Sequence, residues 1–375
     1  MSVLSDRTRR YTLSILLTFA LSLLTITQPR VARALDFTVS GTFRYANSSS
    51  GSTYSFVRDA FVAVYINGSY ANQGTTNSSG YFSIAVNNIP FNNFSVFIRV
   101  FAKRSDNKID IKDSGSNTYY QQSASLNCNS CSTLSFGTVS VGGVYPARAF
   151  FIFDRLGVDT LAALAHSSIA WTPSANVSVS YPSASTEYLS NIVYIKGNNG
   201  LAGDDGYAAS PIIHEYGHAT MDMVYGSYPA VTGCANHGFG SATTTSCAWT
   251  EGWADYFQAW VRNIGNYVFW TGTPVNLETL DVGALGPISE SAVAAALWDI
   301  YDTSNTNEPW DQINLSPNGA GPIWDVFKNG TKPDAIGKFQ KDWVTRQSGT
   351  ARKVAINFCA HQAANGCVAV PFAKK

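Results

Sequence analysis

Two of the five histidines in this 375-residue chain stand four apart in Ser210-Pro211-Ile212-Ile213-His214-Glu215-Tyr216-Gly217-His218. On a helix that spacing puts both imidazoles on one face, within reach of a single zinc ion, and Glu215 can lean over the same point. The chemistry that needs this arrangement is hydrolysis. Zinc lowers the pKa of its water to roughly 7, and a carboxylate beside it accepts the proton during attack on a carbonyl. A second stretch, Thr250-Glu251-Gly252-Trp253-Ala254-Asp255-Tyr256-Phe257, starts another apolar helix with Glu251 and Asp255 four apart on one face. Glu251 is the third ligand a His/His/Glu site lacks, leaving the fourth position for water. Asp255 is placed to accept a hydrogen bond from the outer ring nitrogen of a liganding histidine, which fixes its tautomer. The competing reading is coincidence, with both histidines as ordinary core or surface residues; the second helix weighs against it.

The elements that must position these side chains are marked in the sequence. Ser210 is a candidate N-cap and Pro211 suits a first helical turn, while Ile212, Ile213, Met221 and Val224 predict a mostly buried helix. It should run to about Tyr225, with Gly226 as its C-cap.

These segments resemble the thermolysin-like zinc metallopeptidases, or gluzincins, and most of all the fungalysins, which carry similar H-E-[YF]-[GT]-H and G-E-G-W-S-D-F segments. A third piece, Val293-Ala294-Ala295-Ala296-Leu297-Trp298-Asp299, is similar to a fungalysin helix ending in L-W-[DE]. The likeness covers three short segments between about residues 205 and 302. It implies His214, His218 and Glu251 as zinc ligands, Glu215 as general base and Asp255 as the partner of a ligand. A metzincin pattern does not fit, because Met221 and Val224 stand where glycine and histidine are required.

The chain departs from the fungalysin pattern at one place. The histidine thought to stabilise the oxyanion there falls, counting back from Leu297, on Pro287. Other donors to that position are His237, Tyr267, Tyr301 and His361, none singled out by spacing. Glu290, at the head of the third segment, is either a capping carboxylate or a further site residue. His237 is read first as a loop histidine without a structural duty.

Composition frames the rest. Only 13% of residues are charged and the formal net charge is zero, so nothing argues for a nucleic-acid or anionic-membrane partner. Six cysteines fit an oxidising compartment. Residues 1–34 read as an export signal: arginines at 7, 9 and 10, an apolar run from Leu13 to Ile26, and Ala32-Arg33-Ala34 before the cleavage point. Uncleaved, the same segment would hold the protein at the cell surface; once cleaved, no membrane partner is expected.

From residue 35 to 143 the period changes to two, as in Phe37-Val39-Gly41-Phe43-Tyr45 and Phe94-Val96-Ile98-Val100. This predicts a small antiparallel β-sandwich. Its Asp59-to-Val64 and Thr75-to-Phe82 segments resemble transthyretin-like or carboxypeptidase-regulatory-like domains, which supports architecture rather than activity. Residues 144–375 form the metallopeptidase part, α+β with a mostly helical C-terminal lobe. By the same resemblance, Ile192 to Ile195 is the candidate sheet edge on which an extended substrate would pair. Asp204-Asp205, between glycines, is read as a solvated turn, with calcium as the alternative. Cys128 and Cys131 are read as structural disulfide cysteines, bonded to each other or to another cysteine; Cys234-Cys247 is a candidate disulfide, and Cys359 with Cys367 would staple the tail. Trp253, Phe257 and Trp260 are expected in the core. The expectation is thus an exported zinc metalloendopeptidase acting on peptides or proteins. Two alternatives stand beside it: an inactive zinc-fold scaffold serving binding or adhesion, and a zinc hydrolase of a non-protein cell-wall amide.

Overall fold

The computed structural model describes residues 35–48, 51–90, 92–199, 201, 203–269, 274–279, 286–302 and 320–360. The export segment, His361 and Cys367 lie outside these residues, as does Leu280 to Val282, which the sequence pattern assigns to a helix.

The first ten strands are β1 (Leu35–Ala46), β2 (Tyr54–Phe56), β3 (Phe61–Ile66), β4 (Ser69–Thr75), β5 (Tyr81–Ile89), β6 (Asn93–Phe101), β7 (Ile109–Lys112), β8 (Tyr120–Gln122), β9 (Leu126–Asn129) and β10 (Thr133–Ser140). Alternation decides which side of each faces inward. Phe37, Val39, Phe43 and Tyr45 of β1 and Phe94, Val96, Ile98 and Val100 of β6 are all buried. In β3 the inward set is Val62, Val64 and Ile66, so Phe61 and Tyr65 are left partly exposed on the other face. One sheet is built on β1, which pairs with β10, β2 and β5; the other runs β4-β3-β6-β8, with β9 also on β6. Phe37 and Phe94 meet across the gap with ring centroids 5.2 Å apart. One pairing, β1 with β10, is parallel. Cys128 and Cys131 are bonded to each other.

β7 leaves this pair of sheets and joins the next region. There the chain forms α1 (Val144–Phe153), a π-helical turn over Asp154–Thr160, α2 (Leu161–Ala165), β11 (Val177–Ser183), β12 (Glu187–Leu189) and β13 (Ile192–Lys196). The third sheet has the order β12-β13-β11-β7. Side chains tie the two regions as well: the buried Asp154 carboxylate accepts from Tyr45 (3.0 Å) and Arg58 (2.7 Å), and Tyr207 donates to the Ala46 carbonyl (2.7 Å).

The remainder is mostly helical: α3 (Ala209–Tyr225), α4 (Thr245–Arg262), the short strands β14 (Asn266–Tyr267) and β15 (Val275–Asn276), then α5 (Glu290–Tyr301), α6 (Ala320–Asn329), α7 (Ile336–Arg346) and α8 (Ala351–Ala360). Trp253, Phe257 and Trp260 are core residues, and Trp253 stacks on Phe327 of α6 at 3.6 Å. The fold is therefore a β-sheet region followed by a mixed region ending in helices. Among the described residues no helix is long and apolar enough to cross a membrane.

Candidate metal centre

Helices α3 and α4 carry His214, His218 and Glu251, and glycine lets them approach closely. A Cβ on Gly217 would stand 3.1 Å from the Cα of Ala254, and one on Gly252 would stand 2.5 Å from the Cβ of Val293 in α5. Each motif thus holds a glycine where its helix passes against a neighbour. α3 ends as its sequence predicts, with Gly226 left-handed at φ 76° and its N–H donated to Asp222. It begins differently. The cap position is Ala208, and Ser210 lies inside the first turn, where its hydroxyl accepts from Arg262 (2.6 Å) and from the Val268 N–H (2.9 Å). Ser210 thereby binds α3 to α4 and to the segment after it.

Within this frame three ligand atoms converge. The Nε2 atoms of His214 and His218 are 3.1 Å apart, and each lies 3.2 Å from Oε2 of Glu251. Tetrahedral zinc with bonds of about 2.0–2.1 Å would set its ligands about 3.3–3.4 Å apart, so the triangle is the right size. The outer ring nitrogens are engaged too. Nδ1 of His214 donates to Asp255 at 2.9 Å, which leaves its Nε2 lone pair facing the common point, and Nδ1 of His218 lies 2.9 Å from the Tyr228 hydroxyl. Three buried donors with matching lone pairs fit a zinc ion, and this cluster could hold a metal.

Electrostatics follow from burial. Burial pushes the Glu215 carboxyl up, against the pull of His214 and His218. Burial also works to raise Glu251, but His218 and His214 outweigh it and hold Glu251 well below the usual carboxylate range. Asp255, fully enclosed, is pushed up by burial, against the pull of His214.

These groups open on a cleft of about 480 Å³. His237 and Tyr267 line it. His237 has a structural partner after all: its Nδ1 is 3.0 Å from Glu290, a buried residue of the site rather than a surface cap, and 3.6 Å from Glu251. Tyr267 packs edge-on to His214 at 5.9 Å, and its hydroxyl has no hydrogen-bond partner among the described residues. Tyr301 is not in the lining and donates to Asn263 instead. Cys234 and Cys247 form the disulfide that brackets the loop carrying His237.

Two expectations change. The strand Ile192–Lys196 is interior, paired with both β11 and β12. The edge that lines the cleft is β12, through Glu187 and Tyr188. Nor is Asp204 in a solvated turn. It is fully buried, accepts from the Gly206 N–H (2.9 Å), the Asn198 N–H (3.1 Å) and Tyr181 (3.1 Å), and faces Arg148 at 3.4 Å. Oxygens already engaged by donors are poor calcium ligands. Tyr228 was not foreseeable, since no spacing rule links a loop tyrosine to a histidine ten residues earlier.

The mycolysin C-terminal domain matches residues 165–361, just over half of the chain and all of the site. The chain belongs to the mycolysin C-terminal domain family. This is a thermolysin-like metallopeptidase domain, and the His214/His218/Glu251 cluster lies inside the matched stretch. The chain is also similar to a protein of Archaeoglobus fulgidus named only as uncharacterized, 25% identical over 194 residues, or 48% of this chain and 54% of that one. The chain thus spans about half the length of the curated relative it matches.

Proposed function

We propose that this protein is an exported, zinc-dependent endopeptidase in which Glu215 is the general base. The observation that carries the reading is the convergence of His214, His218 and Glu251 on one point beside the buried Glu215 carboxylate. The likeness of the motif segments to the fungalysins points the same way.

Zinc bound at this point would supply Lewis acidity, polarising a peptide carbonyl and making a water acidic. The chain does the rest. Asp255 and Tyr228 hold the two imidazoles in the orientation and tautomer that expose Nε2. Glu215 takes a proton from the attacking water and returns it to the leaving amine; burial raises its proton affinity toward the range that suits both steps. Tyr267 remains a neutral phenol, because burial and the carboxylates around it push its pKa far up. Its unpartnered hydroxyl is the donor we assign to the developing oxyanion. The free edge of β12 offers backbone groups to an extended peptide.

Residues 35–143 act in this reading as an accessory β-sandwich, and residues 144–375 as the peptidase part, made with the export signal 1–34. Two disulfides among the described residues suit an oxidising destination. The test is proteolysis of a denatured protein substrate with and without chelator, beside Glu215→Gln. We expect activity that chelator abolishes, and a loss of about 10²–10⁴-fold in the variant with metal still bound. Full activity in Glu215→Gln would remove the assigned role.

A further inference from the structure

We infer that the part of the cleft lined by Asp205 is a subsite for a basic side chain, so that the peptides cleaved carry lysine or arginine near the scissile bond. The inference rests on the peptidase reading and adds a substrate class to it. It begins from an imbalance of charge. Among the described residues no lysine or arginine lines the cleft. Of its carboxylates, Glu251 faces His214 and His218, Asp255 faces His214, and Glu290 faces His237. Glu215 is the proposed base. Glu187 and Asp205 are left over, and among the described residues neither has a cation within ion-pair distance.

Asp205 is built into position rather than loose in solvent. Its Oδ2 accepts from Thr186 Oγ1 at 2.6 Å, and that hydroxyl in turn accepts from the Lys196 N–H at 2.9 Å, so the carboxylate is tied to the sheet next to β12. Its other oxygen has no hydrogen-bond partner among the described residues. Burial pushes the Asp205 carboxyl up, and the Lys196 ammonium, too far away for an ion pair, compensates only in part. A partly enclosed carboxylate with a free lone pair and too little positive charge around it gains most from an incoming ammonium or guanidinium. Pro211 and Tyr188 line the same cleft and give a methylene stem an apolar wall. Tyr188 is fixed there by its hydrogen bond to Asp222 (2.5 Å).

Asp205, in the turn just before α3, and Glu215, on α3, line the same cleft, so a side chain held at Asp205 belongs to the peptide being cleaved.

The experiment is a set of quenched fluorescent peptides in which arginine is placed at each position flanking the scissile bond and compared with its neutral isostere, citrulline. On the wild-type zinc-loaded protein we expect kcat/KM for arginine to exceed that for citrulline roughly tenfold or more at one flanking position. In Asp205→Asn the arginine-to-citrulline ratio at that position should fall toward one; Glu187→Gln should reduce it less. A wild-type ratio near one at every position would overturn the inference, whether or not the variants fold. So would a ratio that survives in Asp205→Asn. If no peptide is cleaved, and denatured casein is not cleaved either, the peptidase reading itself fails and the subsite falls with it.

Discussion

The hydroxyl of Tyr228 lies 2.9 Å from Nδ1 of His218, whereas the equivalent nitrogen of His214 faces the carboxylate of Asp255 at the same distance. The two imidazoles are thus held by unlike partners. In the proposed site the phenol oxygen accepts from Nδ1–H, which leaves the Nε2 lone pair of His218 for a metal. Removing the hydroxyl releases the tautomer. We expect Tyr228→Phe to bind zinc about 10-fold more weakly, at the lower end of what such partners contribute. Competition with a chelating dye measures this, and circular dichroism should stay unchanged.

Gly252 sets a second relationship. A methyl group there would meet the Glu290 carbonyl at 2.7 Å as well as Val293 at 2.5 Å, so α4 and α5 must separate to admit it. Gly252→Ala should cost about 1–3 kcal/mol by overpacking, and it should weaken zinc binding too, because Glu251 is the adjacent residue. Thermal melts and metal titration of the same sample test both halves. An unchanged melt would mean that the helices do not pack as closely as described.

The helical lobe has its own pH signature. The Arg346 guanidinium, at 2.7 Å, holds the Asp325 carboxyl below its ordinary range, with Asn329 and Gln347 assisting. A folded-state pKa depressed below the unfolded value of about 3.9 gives stability that is fully present above that pH. It is lost as pH falls through the lower folded value. The pair is partly exposed, with about a third of each side chain open to solvent, so we expect under about 1 kcal/mol from it. Asp325→Asn should melt slightly earlier than wild type at pH 7, and the gap should narrow as the pH falls below the unfolded value of about 3.9.

The parts of this site that the sequence made legible are those set by helical period. His214, His218, Glu251 and Asp255 could be placed on faces because 3.6 residues per turn leaves little choice once a helix is granted. Sheet position was harder to read. Ile192–Lys196 is apolar because it is interior, while the true edge, Glu187–Leu189, is three residues long and mostly exposed. A short edge strand carries little hydrophobic pattern, and an interior strand carries much of it. Ser210 was misread because its hydroxyl is taken by Arg262 and by Val268 N, contacts from residues more than fifty positions away. Asp204 was misread for a similar reason. Flanking glycines suggest a solvated turn, but Arg148 and Tyr181, distant in sequence, close over it.

The central claim concerns three atoms and one ion, so metal stoichiometry tests it most directly. Zinc measured by mass spectrometry on the purified, dialysed protein should come to one equivalent per chain, and to a small fraction of that in Glu251→Ala. A wild type that binds no zinc, or a Glu251→Ala variant that retains a full equivalent, would contradict the account.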